Sequence, residues 1–159
     1  MNTINLTGGC LLPNEEIIIE DGLKMMADIK EGDMVLSHDG QYHTVVRVWN
    51  FEKPTYYVSL SNGDHIECSN THRFLINKTK IDRESSWKTA EELHDGDEII
   101  SMSTINIDPN EKIKYNKVKI ARIFKSGINN PVIDLTVADT HTYISANGIV
   151  NHNSDVNSL

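Results

Sequence analysis

Asp28-Ile29-Lys30-Glu31-Gly32-Asp33-Met34-Val35-Leu36-Ser37 has an echo further along the chain, Glu92-Leu93-His94-Asp95-Gly96-Asp97-Glu98-Ile99-Ile100-Ser101. In both, an acidic and an apolar residue lead through two polar positions to Gly-Asp, and a strand-like run then ends in Ser. Residues 23–29 and 89–93 show a turn or two of helical periodicity, and each leads into one of the Gly-Asp pairs. Two copies are too few for a solenoid. The pattern therefore predicts two similar β subdomains related by a pseudo-two-fold axis.

Outward from the repeat, short β-branched and apolar runs recur between turn signals. They lie at residues 16–19, 34–36, 43–49, 56–60, 65–68, 74–76, 98–100, 117–124, 132–137, 142–144 and 149–150. This spacing predicts an all-β domain with only two very short helices. Asp21-Gly22, Asp39-Gly40 and Asn62-Gly63 mark tight turns, because Gly after Asn or Asp tolerates the positive φ that hairpins require. Residues 104–114 are polar around Asp108-Pro109-Asn110 and read as an exposed loop where insertion or scission is tolerated.

At 159 residues the chain fits one domain with a core of its own. A formal charge of −8 and the lack of a basic, aromatic-rich stretch argue against nucleic acid as a partner. Two cysteines, Cys10 and Cys68, are too few for a secreted disulfide scaffold and fit a reducing, cytoplasmic setting. No apolar run is long enough to span a bilayer, and residues 1–9 lack the basic start and apolar stretch of a signal peptide. We expect a soluble monomer that binds no membrane.

The residues able to do chemistry stand mostly at the two ends. Cys10 follows Gly8-Gly9, which gives the upstream backbone freedom to place the Gly9 carbonyl near the thiol. A free thiol pKa of about 8.5 leaves a usable thiolate fraction near neutrality. In Ser69-Asn70-Thr71-His72, His72 falls on a turn or strand edge and can protonate a departing backbone nitrogen. The Ser69 and Thr71 hydroxyls can hold the Gly9 peptide distorted or donate to an oxyanion. Asp134 and His141 flank an apparent hairpin turn at residues 138–140; Asp134 can steer a nucleophile or proton, and His141 can deprotonate an attacking Asn amide. At the far end, Asn153 before Ser154 can cyclise to a succinimide and break the following bond, His152 can polarise the carbonyl, and the Ser154 hydroxyl can take an acyl group. Taken singly, Cys10 reads as a core thiol and each His as a surface residue; their joint placement favours chemistry on the chain's own backbone.

Four stretches in this order resemble the intein family, over nearly the whole span from Cys10 to Asn153. Cys10-Leu11-Leu12-Pro13, continuing to Asp33, resembles the family's first block. Ser69 to His72 resembles its Thr-x-x-His block, with Ser in place of the usual Thr. Val132-Ile133-Asp134-Leu135-Thr136-Val137 with His141 and Tyr143 resembles the penultimate block, and Val150-Asn151-His152-Asn153-Ser154 the last. Asn151 stands where an apolar residue is common, a departure that we read as chemically silent. The resemblance implies the horseshoe-shaped Hint fold shared with hedgehog autoprocessing domains. It also implies an intein body over residues 10–153, extein fragments at 1–9 and 154–159, and single-turnover splicing that joins Gly9 to Ser154 through thioester, ester and succinimide steps. With no room for a homing endonuclease, the chain resembles a mini-intein, or a split intein fused near residues 104–114. No cofactor or metal is implied. The implied partners are the flanking exteins and, for a split form, the complementary fragment.

Three alternatives use subsets of the same residues. A hedgehog-type autoprocessing domain needs Cys10 and His72 but has no use for His152-Asn153-Ser154. A Cys-His hydrolase would turn over added peptides with the same pair. A metal module built on Cys10, Cys68, His72, His141 and His152 lacks any recognised ligand spacing. Cys68 reads as strand packing, with a regulatory disulfide to Cys10 as the alternative.

Overall fold

Gly32 and Gly96 turn the chain in the same way, and the repeat is matched bond for bond. The computed structural model describes residues 9–102 and 114–153. Gly32 takes φ 93° and Gly96 φ 89°, a region that favours glycine. The Asp33 carboxylate accepts from Lys30 N–H and the Asp97 carboxylate from His94 N–H, both at 2.9 Å. Gly32 N donates to Val45 O at 2.9 Å, and Gly96 N to Ile120 O at 2.8 Å. The return bonds, Val45 N to Asp33 O and Ile120 N to Asp97 O, are both 2.8 Å. Each Gly-Asp turn thereby clamps a short strand onto one of the two long strands.

The strands are β1 (Glu16–Ile19), β2 (Gly22–Met25), β3 (Met34–Leu36), β4 (Tyr42–Leu60), β5 (His65–Ser69), β6 (Arg73–Leu75), β7 (Trp87–Thr89), β8 (Glu98–Met102), β9 (Tyr115–Val137), β10 (Thr142–Ile144) and β11 (Val150–His152). One antiparallel sheet runs β2-β1-β3-β4-β9-β8, with β5 also paired to β4; the second runs β10-β11-β6-β7. The larger core gathers Leu11, Ile17, Val58, Ile66, Phe74, Leu135 and Tyr143, while a smaller cluster around Leu75, Trp87, Ile144 and Val150 backs the second sheet.

The all-β class follows the sequence reading, and three details correct it. Residues 43–49 and 56–60 are one strand, as are 117–124 and 132–137. Pro54 interrupts the apparent pattern, but it falls at a register shift where β4 needs no N–H. The expected pair of short helices becomes four single-turn 3-10 segments among the described residues, at Met26–Asp28, Lys78–Lys80, Glu84–Ser86 and Ala90–Glu92. Within residues 23–29 the first three are strand, because the Glu20-Asp21 turn folds them back onto β1. The turn at 138–140 exists, yet it does not pair its flanking strands: β9 lies in the first sheet and β10 in the second. Among the described residues no helix is long and apolar enough to cross a membrane. The expected loop is outside the described residues except for Lys114, and the stretches before Gly9 and from Ser154 are outside them too.

Candidate functional site

Residues 9–12 thread between β9 and β5 of the first sheet, which brings the candidate first junction, Gly9-Cys10, to His72. Leu11 exchanges backbone bonds with Ile133 of β9, N to O at 2.9 Å and O from N at 2.8 Å, and also bridges to Cys68 of β5. Ser69 N donates to Cys10 O at 2.9 Å, while Cys10 N donates to Ser69 Oγ at 3.1 Å. The Ser69 hydroxyl thus holds the nitrogen of the Gly9-Cys10 bond. His72 N closes a tight turn onto Ser69 O at 3.0 Å, with half-buried Thr71 inside that turn. This turn aims the His72 ring at Gly9. A Cβ on Gly9 would overlap Nδ1, with Cγ and Cε1 only 2.9 Å away, so the junction has room for glycine alone unless the ring moves. Among the described residues His72 Nδ1 has no hydrogen-bond partner, and Nε2 lies 2.8 Å from Asn151 Oδ1.

The second junction lies at the end of β11, next to β6. The carbonyl oxygen of Asn153 is 2.7 Å from His152 Nδ1 and accepts from Arg73 Nη2 at 3.4 Å. The His152 ring packs edge-on against Trp87, centroids 4.9 Å apart. Asn153 N donates to His141 O at 2.9 Å. The carboxamide of Asn153 satisfies both neighbours when Nδ2 donates to that same His141 carbonyl and Oδ1 accepts from Val137 N at 3.3 Å. His141 therefore meets Asn153 through its backbone, held at φ 60°. Its ring is exposed and, with His38 and His152, lines a cleft of about 310 Å³.

Burial sets the protonation states at the first junction. The Cys10 thiol is pushed up to about 12, first by burial and then by the negative charge of Asp134. This corrects the expectation of a usable thiolate fraction at neutrality, which holds for a solvated thiol. His72 is lowered to about 4, chiefly by burial, against a smaller upward effect of its bond to Asn151. At neutral pH the junction holds a neutral thiol and a neutral imidazole. Asp134 is fully buried, and its charge also raises the Tyr143 phenol, after burial itself.

Ser69 and His72 gather at Gly9-Cys10, Thr71 lies in the turn between them and Asp134 acts on the Cys10 thiol through its charge, whereas His141, His152 and Asn153 gather at the far end; Ser154 is outside the described residues. The β6–β11 pair connects the two groups. Asn151 pairs with Phe74 across β11 and β6, placing consecutive residues His72 and Arg73 at different junctions. Arg73 escaped the sequence reading, and Asn151 was read there as chemically silent, because their contacts depend on that pairing. Adjacency to His72 and to His152 was the only available signal. Cys68 is buried and free, as is Cys10. Among the described residues no three His, Cys, Asp or Glu side chains are grouped to hold a metal ion.

No family model matches the chain. Warthog protein 6 of Caenorhabditis elegans is 29% identical over 142 residues, covering 82% of this chain and 23% of that protein. The chain thus spans about a quarter of that curated relative. Among solved structures, the gp41-1 intein matches at 24% identity and a TM-score of 0.72, over 92% of this chain and 99% of that one. A variant of the Ssp DnaB mini-intein, M86, gives 21% and 0.74 over 93% and 95% of the two chains. The DnaB intein from Synechocystis sp. PCC 6803 gives 22% and 0.72 over 92% and 99%. At such identities the likeness establishes the fold: this chain has the all-β, pseudo-two-fold Hint fold of the solved inteins.

Proposed function

We propose that the chain is a self-splicing element that excises residues 10–153 and joins Gly9 to Ser154. The observation that carries this reading is that consecutive residues serve the two candidate junctions, His72 against Gly9 and Arg73 at the start of β6 beside the Asn153 carbonyl. Neutral His72 takes the Cys10 thiol proton at Nδ1 as sulfur attacks the Gly9 carbonyl. It passes that proton to the Cys10 nitrogen as the carbon–nitrogen bond breaks, leaving a thioester and a free amine. Ser69 holds the departing nitrogen, and Thr71 supports the turn.

The Ser154 hydroxyl then attacks the thioester and loses its proton to the Cys10 thiolate, with Asp134 steering the exchange. Asn153 Nδ2 next attacks its own main-chain carbonyl. His152 and Arg73 stabilise the oxygen's developing charge, His141 O orients the attacking amide, and the nitrogen of Ser154 leaves as an amine with the proton that Nδ2 gives up. An oxygen-to-nitrogen acyl shift restores a peptide bond. The reaction is single-turnover, needs no metal or cofactor, and has the flanking exteins as its partners; the free buried thiols suit a reducing cytoplasm.

Intact-mass analysis of freshly folded chain tests this reading. A body spanning residues 10–153 and a short ligated peptide are expected. Persistence of the full-length chain under reducing conditions, with no thioester trapped by added thiol, overturns it. Cys10→Ala is expected to stop cleavage before residue 10 and preserve some cleavage after Asn153.

A further inference from the structure

We propose that Asn151 is a positioning residue for the Gly9-Cys10 junction: by accepting the His72 Nε2 proton it fixes the ring's tautomer and leaves Nδ1 bare toward the scissile bond. Asn151 is fully buried in β11. Its Nδ2 donates to Ile149 O at 3.0 Å, Ser145 Oγ at 3.1 Å and Tyr143 O at 3.2 Å. Two of these partners are carbonyls, which only accept, so the amide nitrogen has to face them and the oxygen has to face His72. An amide oxygen accepts only, so the proton between Asn151 and His72 sits on Nε2. In the neutral ring Nδ1 is then a lone pair. It has no partner among the described residues and points at Gly9, while Phe74 meets the ring edge-on at 5.2 Å. The ring can receive the thiol proton only in this tautomer.

The assignment also links the two ends. Asn151 shares its strand with His152, so docking β11 against β6 readies the C-terminal junction and arms the N-terminal base together. The kinetic consequence rests on the splicing reading, whereas the tautomer does not.

Nitrogen-15 NMR of the chain carrying Cys10→Ala and Asn153→Ala is expected to show His72 as the Nε2–H tautomer. Finding Nδ1–H overturns the assignment without any change at Asn151. In an Asn153→Ala chain, thiol-induced cleavage at Gly9-Cys10 should slow roughly 10- to 100-fold with Asn151→Leu. Cleavage after Asn153 in a Cys10→Ala chain should change far less. Equal slowing of both cleavages marks a merely structural residue and overturns the proposal. Inertness at Gly9-Cys10 with Asn151 intact, in a chain that shows the Nε2–H tautomer, overturns the splicing reading instead.

Discussion

His72 is fully buried and uncharged at neutral pH, and on the splicing reading proposed above it sets the pH response of the Gly9-Cys10 bond. Its pKa is about 4 in the fold against 6.5 in an unperturbed His. Between these values the unfolded chain binds a proton that the folded chain refuses, so stability is lost as pH falls from 6.5 toward 4. The loss amounts to about 3 kcal/mol across that window. Urea unfolding of the Cys10→Ala, Asn153→Ala chain at neutral and acidic pH measures it, and His72→Asn should remove this part of the slope. The reaction rate carries a second signature. With His72 neutral above about 4 and Cys10 protonated up to about 12, thioester formation should be nearly flat from about pH 6 to 8. A route through free thiolate would rise about tenfold per pH unit. Sequence alone offered the opposite expectation for Cys10, because burial beside Asp134 cannot be read from residue order.

The elements show the same division. Repeat units and most strands were legible because apolar alternation and Gly-Asp turns are local signals. The joining of the runs within β4 and β9 was not, since a long ladder absorbs Pro54 at a bulge that no single strand reveals. Gly148, between β10 and β11, shows how one turn serves two sheets. It takes φ 82°, its carbonyl accepts from Met102 N at 2.7 Å, and a Cβ there would sit 2.5 Å from Met102 O. Gly148→Ala has to bear both backbone strain and a clash with a neighbouring backbone. Gly32→Ala bears only the strain, because its φ is 93° and nothing lies within 4 Å of the added atom. Denaturant titration should place the Gly32 variant about 1 kcal/mol below the parent and the Gly148 variant clearly lower. Near-equal losses would show that the β10–β11 turn yields freely.

At the scale of the whole molecule, the chain's two parts interleave. β9 pairs with β4 from Val45 to Leu60 and with β8 from Glu98 to Met102, so residues 114–153 are tied to the earlier segment along their length. Residues 1–102 are strongly acidic, whereas 114–159 carry a basic excess, which favours reassociation of separate pieces. A chain broken within residues 103–113 should therefore reconstitute splicing on mixing. Mass analysis would detect the ligated product, and the association rate should fall with added salt. Failure of the two pieces to bind would mean that the connection itself is needed for folding.

What the sequence determined by itself was local: an all-β chain, a repeated Gly-Asp unit, and a thiol and an Asn-Ser pair placed at opposite ends. Tertiary structure alone decided which atoms meet. Register between β6 and β11 brings His72 to Asn151, 79 positions away, and Arg73 to Asn153, 80 away. It also turns His141's carbonyl, rather than its ring, toward the Asn153 amide. Residue type and spacing report what a side chain can do; the pairing of distant strands sets its neighbours, its solvent and hence its proton.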